Sequence, residues 1–402
     1  MDLERFRKRI QQLFELARGS SGANRPAYSL AEAEAMRLVA SWLEEASLQA
    51  RLDRFGNLWG LPEAEGPFVT SGSHVDTVPD GGRFDGALGT LLAIEATEEL
   101  RGPFGVLICA AEEAPRFGAG TLGSRSLASK LSEADLAEML DAKGVSAHEA
   151  RAAFLQELSD IPRLEDRNVL GRLRAHAEVH IEQRRHLANL GAQLGVATVV
   201  AGPVRYELRF SGATGHSGEL PPQERRDALC AAAEAVLLAE RLSKESSSTI
   251  VTAGRIEVHP NSLTAVPGEV ALGVDLRSTD ITERDEVTQR LLRGAEDAAS
   301  RRGVGLYCKK LSYAEPKIMD RDVVDAVEAS CREAGVKFAR VPSFAGHDAQ
   351  HLAELAPTAL LFVPSTNGVS HAPEEEVAWK DVESCFEVLI KLLPKLLRYK
   401  TG

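Results

Sequence analysis

Short apolar runs alternate with helical segments along the first half of the chain. Phe68 to Ser71 and Phe104 to Ala111 are apolar runs that end in turn signals, as is typical of parallel strands buried on both faces. Between them, apolar residues recur at helical spacing from Leu88 to Ala96, and Gly102 closes the segment. The pattern predicts an α/β domain, with Asp85 at or near the N-terminus of a helix.

The pattern changes near Gly202, where apolar and charged residues begin to alternate from Val204 to Phe210. A period of two indicates a strand with one face exposed to solvent, which is typical of an antiparallel sheet. From there we predict, in order, strand Val204 to Phe210, helix Arg225 to Leu242, strand Thr249 to Val258, strand Val270 to Leu276, helix Asp285 to Arg301 and strand Val304 to Leu311. This βαββαβ order is the ferredoxin-like motif.

After Pro316 the α/β pattern returns, with a helix from Asp322 to Ala334, an apolar run from Thr358 to Val363 and a final helix from Asp381 to Leu397. A chain of 402 residues is also too long for one ordinary core, which stops growing near about 250–300 residues. We therefore expect an α/β catalytic domain, built on a mixed, mainly parallel sheet covered by helices, from residues 1–203 and 314–402. A ferredoxin-like α+β domain, residues 204–313, is inserted into it.

The net charge and composition of the chain disfavour several classes of partner and cofactor. The chain has 47 Lys and Arg against 59 Asp and Glu, a formal net charge of −12, which disfavours binding to nucleic acid or to anionic lipid. No apolar stretch approaches the roughly 20 residues of a spanning helix, and the charged N-terminus does not resemble a signal peptide. Five scattered cysteines without a CxxC pair argue against a disulfide framework or a thiolate metal site. We expect a cytoplasmic protein.

The first candidate site is the loop GSHVDTVPDGGRFDG, which follows the strand at Phe68. It contains His74, Asp76 two residues later and Asp85 near the next helix. Open α/β sheets bind ligands beyond the carboxyl ends of their strands, so the loop lies where a site is expected. Taken alone, a His and an Asp in a glycine-rich loop also fit a turn with a polar cap.

Three further segments place metal-ligand residue types at strand ends. Glu112 and Glu113 follow the second strand, His180 lies in HIEQ, and His371 ends the loop PSTNGVSHAP after the run at Thr358. Alone, the glutamate pair also fits a solvated turn, and each histidine also fits a structural residue. Together with His74 and Asp85, these residues would give two divalent ions three ligands each if Asp85 bridges them, a donor set that suits zinc, manganese or cobalt.

This set of ligands and the neighbouring carboxylates predict a reaction class. Adjacent carboxylates at a strand end point in opposing directions, so Glu113 would hold an ion while Glu112, as general base, would deprotonate a water between the ions and pass the proton to a leaving nitrogen. Asp76 would orient the ring of His74. Metal-assisted hydrolysis is the predicted reaction class.

The inserted domain adds three candidates, each of which also fits an ordinary loop or surface residue. His216 in GATGHSG could donate a hydrogen bond to an oxyanion, and Asn261 could hold an amide. Arg277, at the end of VALGVDLRS, could bind a carboxylate through two hydrogen bonds.

Over nearly the whole chain, the sequence resembles the M20 family of dinuclear metallopeptidases and amidohydrolases, and within it the N-carbamoyl-L-amino acid hydrolase and allantoate amidohydrolase (hydantoinase/carbamoylase) branch. The motifs that carry the resemblance are GSHVDTVPDGGRFDGALG, EEAPRFG followed by GSRSLA, HIEQ, RRDAL, and GHDA followed by FVPSTNGVSHAPEE. The histidine of HIEQ is typical of this branch, because related peptidases generally have a carboxylate there.

The resemblance implies roles for particular residues. One ion would be held by His74, Asp85 and His180, and the other by Asp85, Glu113 and His371, with Glu112 as the base. The inserted domain would be a lid and dimerisation domain of a homodimer, in which His216 reaches the partner's active site. Gln183, Asn261 and Arg277 would line the substrate pocket.

The predicted activity is hydrolysis of the carbamoyl or ureido C–N bond of an N-carbamoyl-L-amino acid, or of a related ureido acid such as allantoate. An N-acyl-amino acid or dipeptide hydrolase with the same two-metal core remains an alternative. A homologue that binds metal or small molecules without catalysis is the alternative outside enzymes.

Overall fold

The computed structural model describes residues 1–399, which form two compact units. The first unit contains Met1–Thr198, Met319–Val341 and the chain from Gly346 onward, and the second contains Val199–Ile318 and Pro342–Ala345. The chain thus crosses between units at 198/199 and 318/319, about five residues from the expected 203/204 and 313/314, and again at 341/342 and 345/346. The second unit is longer because Val199 and Val200 pair with Lys317 and Ile318.

Fifteen strands occur in the described residues. They are β1 (Gln49–Leu52), β2 (Leu58–Leu61), β3 (Phe68–Gly72), β4 (Phe104–Ile108), β5 (Leu173–Ile181), β6 (Leu194–Val200), β7 (Gly202–Ser211), β8 (Gly215–His216), β9 (Thr249–His259), β10 (Ala265–Val266), β11 (Glu269–Ser278), β12 (Gly305–Tyr313), β13 (Lys317–Ile318), β14 (Phe338–Ser343) and β15 (Thr358–Val363).

The same residues form thirteen α-helices and a short 3₁₀ turn, Pro222–Glu224. The helices are α1 (Leu3–Leu16), α2 (Leu30–Glu45), α3 (Ala87–Leu100), α4 (Leu122–Leu127), α5 (Glu133–Glu138), α6 (Ala147–Glu157), α7 (Val169–Arg172), α8 (His186–Leu190), α9 (Ala228–Glu245), α10 (Ile281–Arg301), α11 (Arg321–Ala334), α12 (Asp348–Leu352) and α13 (Trp379–Leu396). None of these helices combines the length and the apolarity needed to cross a bilayer.

The first unit is built on a mixed sheet with strand order β1-β2-β4-β3-β5-β15-β6, and β14 also pairs with β6. Its four central strands, β4, β3, β5 and β15, are parallel. Almost every residue in them is buried, which explains why they appear in the sequence as continuous apolar runs. Because the four strands run in the same direction, their carboxyl ends meet at one edge of the sheet. The predicted α/β class with a mainly parallel sheet is confirmed.

The second unit has a four-stranded antiparallel sheet of order β12-β7-β11-β9. Its elements follow the chain as β7-α9-β9-β11-α10-β12, which is the βαββαβ order, and β8 and β10 form a separate two-stranded ribbon. Alanines of α9 and α10 pack against Leu208 and Leu272 on one face of the sheet. Small alanine side chains let the helices lie close to the sheet.

Strand β4 ends at Ile108, three residues before the end of the apolar run that predicts it. Its pairing with β2 stops where Leu58 meets Ile108, and Ala111 has a positive φ of 55°. The residues between β4 and α4 therefore leave the sheet in an irregular turn.

Helix α3 lies close to β5 at Gly89, and this contact constrains the loop of His74. A Cβ atom at Gly89 would lie 1.9 Å from the carbonyl oxygen of Val179. The neighbouring Thr90 Oγ1 donates a hydrogen bond to the carbonyl oxygen of His74 at 3.1 Å. Helix α3 therefore fixes the backbone of this loop.

We expect Gly89→Ala to lower the free energy of unfolding by about 1–3 kcal/mol, because the added methyl group must push α3 away from β5. Gly254→Ala in β9 is the control, because no atom lies within 4 Å of a Cβ built there, and its effect should stay within about 0.5 kcal/mol. Urea denaturation of the two variants measures the difference. Equal stability of both would contradict this description of the contact.

Candidate metal centre

The buried side chains of His74 and His180 face each other through their Nε2 atoms. His74 Nδ1 lies 3.1 Å from the carbonyl oxygen of Asp76, and His180 Nδ1 lies 3.1 Å from that of Ile181. A carbonyl oxygen only accepts, so each neutral ring carries its proton on Nδ1 and has an unprotonated Nε2. The two Nε2 atoms are 3.4 Å apart.

The carboxylate of Asp85 completes this first group. Its Oδ1 lies 3.0 Å from His180 Nε2 and 3.7 Å from His74 Nε2. This oxygen is buried and accepts no hydrogen bond from a protein donor. Three acceptors that face one another without a donor are unfavourable unless a cation lies between them, so these residues fit a metal ion.

The other oxygen of Asp85 belongs to a second group. Asp85 Oδ2 lies 3.3 Å from His371 Nε2, which in turn lies 3.5 Å from Glu113 Oε1. Gln183 Nε2 lies 3.3 Å from Asp85 Oδ2 and 3.1 Å from His371 Nε2. Asp85 therefore offers one oxygen to each of two groups, which is the geometry that a bridging carboxylate requires.

A third group of possible ligands contains Glu178, His180 and His347, so it shares His180 with the first. The oxygens of Glu178 accept hydrogen bonds from Ser73 Oγ at 2.9 Å and from the backbone N–H of Ala349 at 2.6 Å. Because donors already satisfy this carboxylate, the third group differs from the first, in which Asp85 Oδ1 has no donor.

Adjacent Glu112 and Glu113 diverge as expected from the sequence. Glu112 Oε2 lies 4.0 Å from His74 Nε2, whereas Glu113 faces His371. The carboxylate of Asp76 accepts the backbone N–H of Glu112 at 3.1 Å and that of Glu113 at 2.9 Å. Asp76 Oδ1 also lies 3.4 Å from His74 Nδ1, so Asp76 contacts three of the candidate residues.

The pKa values of the acidic residues and of His371 indicate that the two ligand groups need positive charge. Burial raises the pKa of Glu112 well above its usual value and that of Glu113 to about 7. Burial opposes ionisation of Asp85, but the three histidines outweigh it and hold the pKa of Asp85 well below the ordinary value. The hydrogen bond with Asp85 raises the pKa of His371 to about 9. In the absence of a metal ion, His371 is therefore protonated at neutral pH.

Two backbone features make room for these side chains. Gly86 has a φ of 64°, and a Cβ there would lie 2.5 Å from the ring of His74. Glu375 accepts the backbone N–H groups of Phe84 and Asp85 at 2.8 and 3.0 Å, and thus holds the segment that carries Asp85. Glu375 lies four residues after His371 in HAPEE, but no sequence signal identifies it, because a carboxylate in an acidic run next to proline gives no sign of being buried.

The three candidates of the inserted domain lie in the second unit. His216 is exposed in β8, and Asn261 is exposed after the cis His259–Pro260 bond with a φ of 51°. Arg277 in β11 donates from Nε to Asp275 Oδ2 at 2.7 Å and from Nη1 to the carbonyl oxygen of Phe344 at 2.9 Å. Gln183 is thus the one predicted substrate residue that lies beside the Asp85 groups in the first unit.

We expect Asp76→Asn to lower the free energy of unfolding by about 1–3 kcal/mol, because an amide cannot accept from both N–H groups that Asp76 now satisfies. Asp297→Asn, at an exposed position of α10, is the matched control and should change stability by less than about 0.5 kcal/mol. Chemical denaturation measures both. An unchanged free energy of unfolding in Asp76→Asn would show that these bonds do not order the Glu112–Glu113 segment.

Comparison with known proteins finds relatives that this chain matches over nearly its whole length. The chain is 33% identical to the N-carbamoyl-L-amino acid amidohydrolase of Geobacillus stearothermophilus over 95% of both chains. It is 30% identical to the allantoate amidohydrolase of Escherichia coli, over 94% of this chain and 93% of that protein. The crystal structure of a hydantoinase/carbamoylase family amidase from Burkholderia multivorans superposes with a TM-score of 0.86 at 29% identity, over 99% of both chains.

The family model of peptidase family M20/M25/M40 matches residues 71–395, which include all five candidate metal ligands. The resemblance to the hydantoinase/carbamoylase branch is confirmed by the relatives above. The chain therefore belongs to peptidase family M20/M25/M40.

Proposed function

We propose that this protein is a metal-dependent amidohydrolase that cleaves the carbamoyl or ureido C–N bond of an N-carbamoyl-L-amino acid, or of a related ureido acid such as allantoate. The observation that carries the proposal is the pair of ligand groups that share Asp85, with the partly buried carboxylate of Glu112 4.0 Å from His74. The names of the relatives support the substrate class.

Two divalent ions, zinc, manganese or cobalt, are the proposed cofactors. His74, Asp85 and His180 would hold one ion, and Asp85, Glu113 and His371 the other. When bound, such ions make water more acidic and polarise a carbonyl group. Nitrogen and oxygen donors suit all three metals, and the set contains no sulfur that would favour a softer ion.

Glu112 is the proposed general base. Burial favours the neutral form of its carboxyl group, which makes the carboxylate a ready proton acceptor from the attacking water. The same carboxyl group then donates its proton to the leaving nitrogen. Asp76 would keep His74 in the tautomer with the lone pair on Nε2 and hold the backbone of Glu112.

The substrate carboxylate is proposed to bind Arg277, and Gln183 and Asn261 to contact the rest of the substrate. Asp275 and Phe344 already orient the guanidinium of Arg277, which lowers the conformational entropy lost on binding. We further propose that the second unit acts as a lid and dimerisation domain of a homodimer, with His216 as an oxyanion donor to the partner's site. Five free cysteines support a cytoplasmic location.

Ammonia release tests the activity. Hydrolysis of a carbamoyl group yields ammonia, carbon dioxide and an amine, whereas an N-acyl-amino acid or a dipeptide releases no ammonia. We expect the dialysed protein to release ammonia from N-carbamoyl-L-amino acids, allantoate or ureidoglycolate only after manganese, cobalt or zinc is restored. Turnover of acyl-amino acids or dipeptides alone would replace the proposal with the alternative that uses the same core. No turnover of either class with any of the metals would favour a binding protein without catalysis.

Glu112→Gln tests the base. We expect kcat to fall by about 10²–10⁴-fold while the protein still binds two metal equivalents, because a base rather than a ligand is lost. Glu65→Gln, at an exposed loop position, should leave kcat unchanged. Steady-state kinetics with metal analysis of the same samples measures both, and retained turnover in Glu112→Gln would remove Glu112 from the mechanism.

Metal binding should also depend on pH. In the metal-free protein the pKa of His371 is raised from 6.5 to about 9 and that of Glu113 from 4.5 to about 7, so a cation must displace protons near neutral pH. The affinity for manganese should therefore rise with pH up to about 9, by as much as about tenfold per pH unit for each proton displaced. Calorimetric titration across this range measures the slope, and an affinity independent of pH would contradict the assignment of both ligands.

A further inference from the structure

The turn that carries Glu112 is held by side chains instead of by the sheet. After β4, four consecutive backbone N–H groups donate to side-chain oxygens: Ala110 to Asn57 at 3.0 Å, Ala111 to Glu32 at 2.8 Å, and Glu112 and Glu113 to Asp76 at 3.1 and 2.9 Å. The carbonyl oxygens of residues 110–112 accept backbone N–H groups of residues 121–123, so the four side-chain bonds fix the N–H side of this turn.

Glu32 is the unexpected member of this set. It is the third residue of α2, after the N-cap Ser29, and in that position a glutamate ordinarily bonds back to the N-cap backbone. Here one carboxylate oxygen accepts the N–H of Tyr28, and the other reaches Ala111, 79 residues further along the chain. A helix cap alone would require neither the second bond nor complete burial of the side chain, which has no exposed surface.

The bond to Ala111 acts where the backbone is strained. Ala111 has a φ of 55°, a left-handed conformation that costs a residue with a Cβ about 1–2 kcal/mol. The N–H that Glu32 accepts belongs to this residue, directly before the proposed base. Loss of the bond would let Ala111 relax to a negative φ and turn the peptide that leads into Glu112.

A buried arginine compensates the negative charge of this arrangement. The guanidinium of Arg25 donates to the carbonyl oxygens of Val75 and Leu13, both at 2.7 Å, and the charges of Asp76 and Glu32 act on it. A buried carboxylate is costly without such compensation. The charges of Asp76 and Glu32 therefore act on the same buried cation.

We propose that Glu32 is a positioning residue for the general base: through Ala111 it sets the directions in which the side chains of Glu112 and Glu113 diverge. The catalytic part of this inference rests on the proposed function, whereas the structural part, the order of residues 110–113, does not. Residues of this kind, which orient groups that contact the metal or substrate, typically contribute about 10–100-fold in activity or metal affinity.

Glu32→Met tests the proposal, because methionine fills a similar volume and accepts neither N–H group. We expect kcat to fall by about 10–100-fold with KM changed by less than about threefold, and hydrogen exchange of the 110–113 amides to accelerate. Glu95→Met is the matched control: Glu95 is an equally buried carboxylate, but it pairs with Arg5 and Arg9. This variant should lose stability without either effect.

The results of these experiments distinguish the positioning role of Glu32 from the proposed function. Wild-type kcat and wild-type exchange in a folded Glu32→Met would overturn the positioning role, as would an equal loss of kcat in Glu95→Met. Failure of the wild type to turn over any ureido acid would refute the proposed function, and the exchange of residues 110–113 would still decide the structural part. If Glu32→Met does not fold, Glu32→Asp is measured in its place: its carboxyl group is one methylene shorter and cannot accept from both Tyr28 and Ala111 in the positions that they now occupy. Unchanged kcat and exchange in that variant would equally overturn the role.

Discussion

The structure of the candidate site depends on one carboxylate, that of Asp85, which faces two ligand groups at once. Its Oδ1 lies against the lone pairs of His74 and His180, and its Oδ2 lies against His371. Acceptors placed in this way repel one another unless positive charge lies between them. The surrounding structure holds them there: Glu375 fixes the backbone of Asp85, and helix α3, which Gly89 allows to lie against β5, fixes the loop of His74.

Burial of so many carboxylates near one point makes the region sensitive to charge. Burial raises the pKa of Glu113, Asp348 and Glu375 to about 7 each, so their ionisation depends on what cations are near. The charges of Asp76 and Glu32 also act on a permanent cation, the buried guanidinium of Arg25. In the second ligand group, the hydrogen bond with Asp85 raises the pKa of His371 to about 9, and a divalent ion would displace that proton.

The sequence predicts the parts of this site that follow strand ends. Apolar runs mark parallel strands, and parallel strands bring the loops of His74, Glu113 and His371 to one edge of a sheet, which is where the structure has them. Glu32 and Glu375 could not be found in this way, because their bonds to the site join residues 79 and 290 positions apart and their local sequences indicate a helix start and an acidic turn. The two units divide about five residues from the expected domain boundaries, because two-residue strands such as β13 leave no periodic pattern. The roles of His216, Asn261 and Arg277 stay predictions, because they rest on the family resemblance.

The most direct measurement of the central claim is anomalous X-ray diffraction from crystals grown with manganese or zinc, recorded at the absorption edge of the metal. The account predicts two peaks on either side of the Asp85 carboxylate, one in contact with His74 and His180 and the other in contact with Glu113 and His371. A single peak, or peaks that do not contact Asp85, would contradict a bridging carboxylate and with it the proposed reaction.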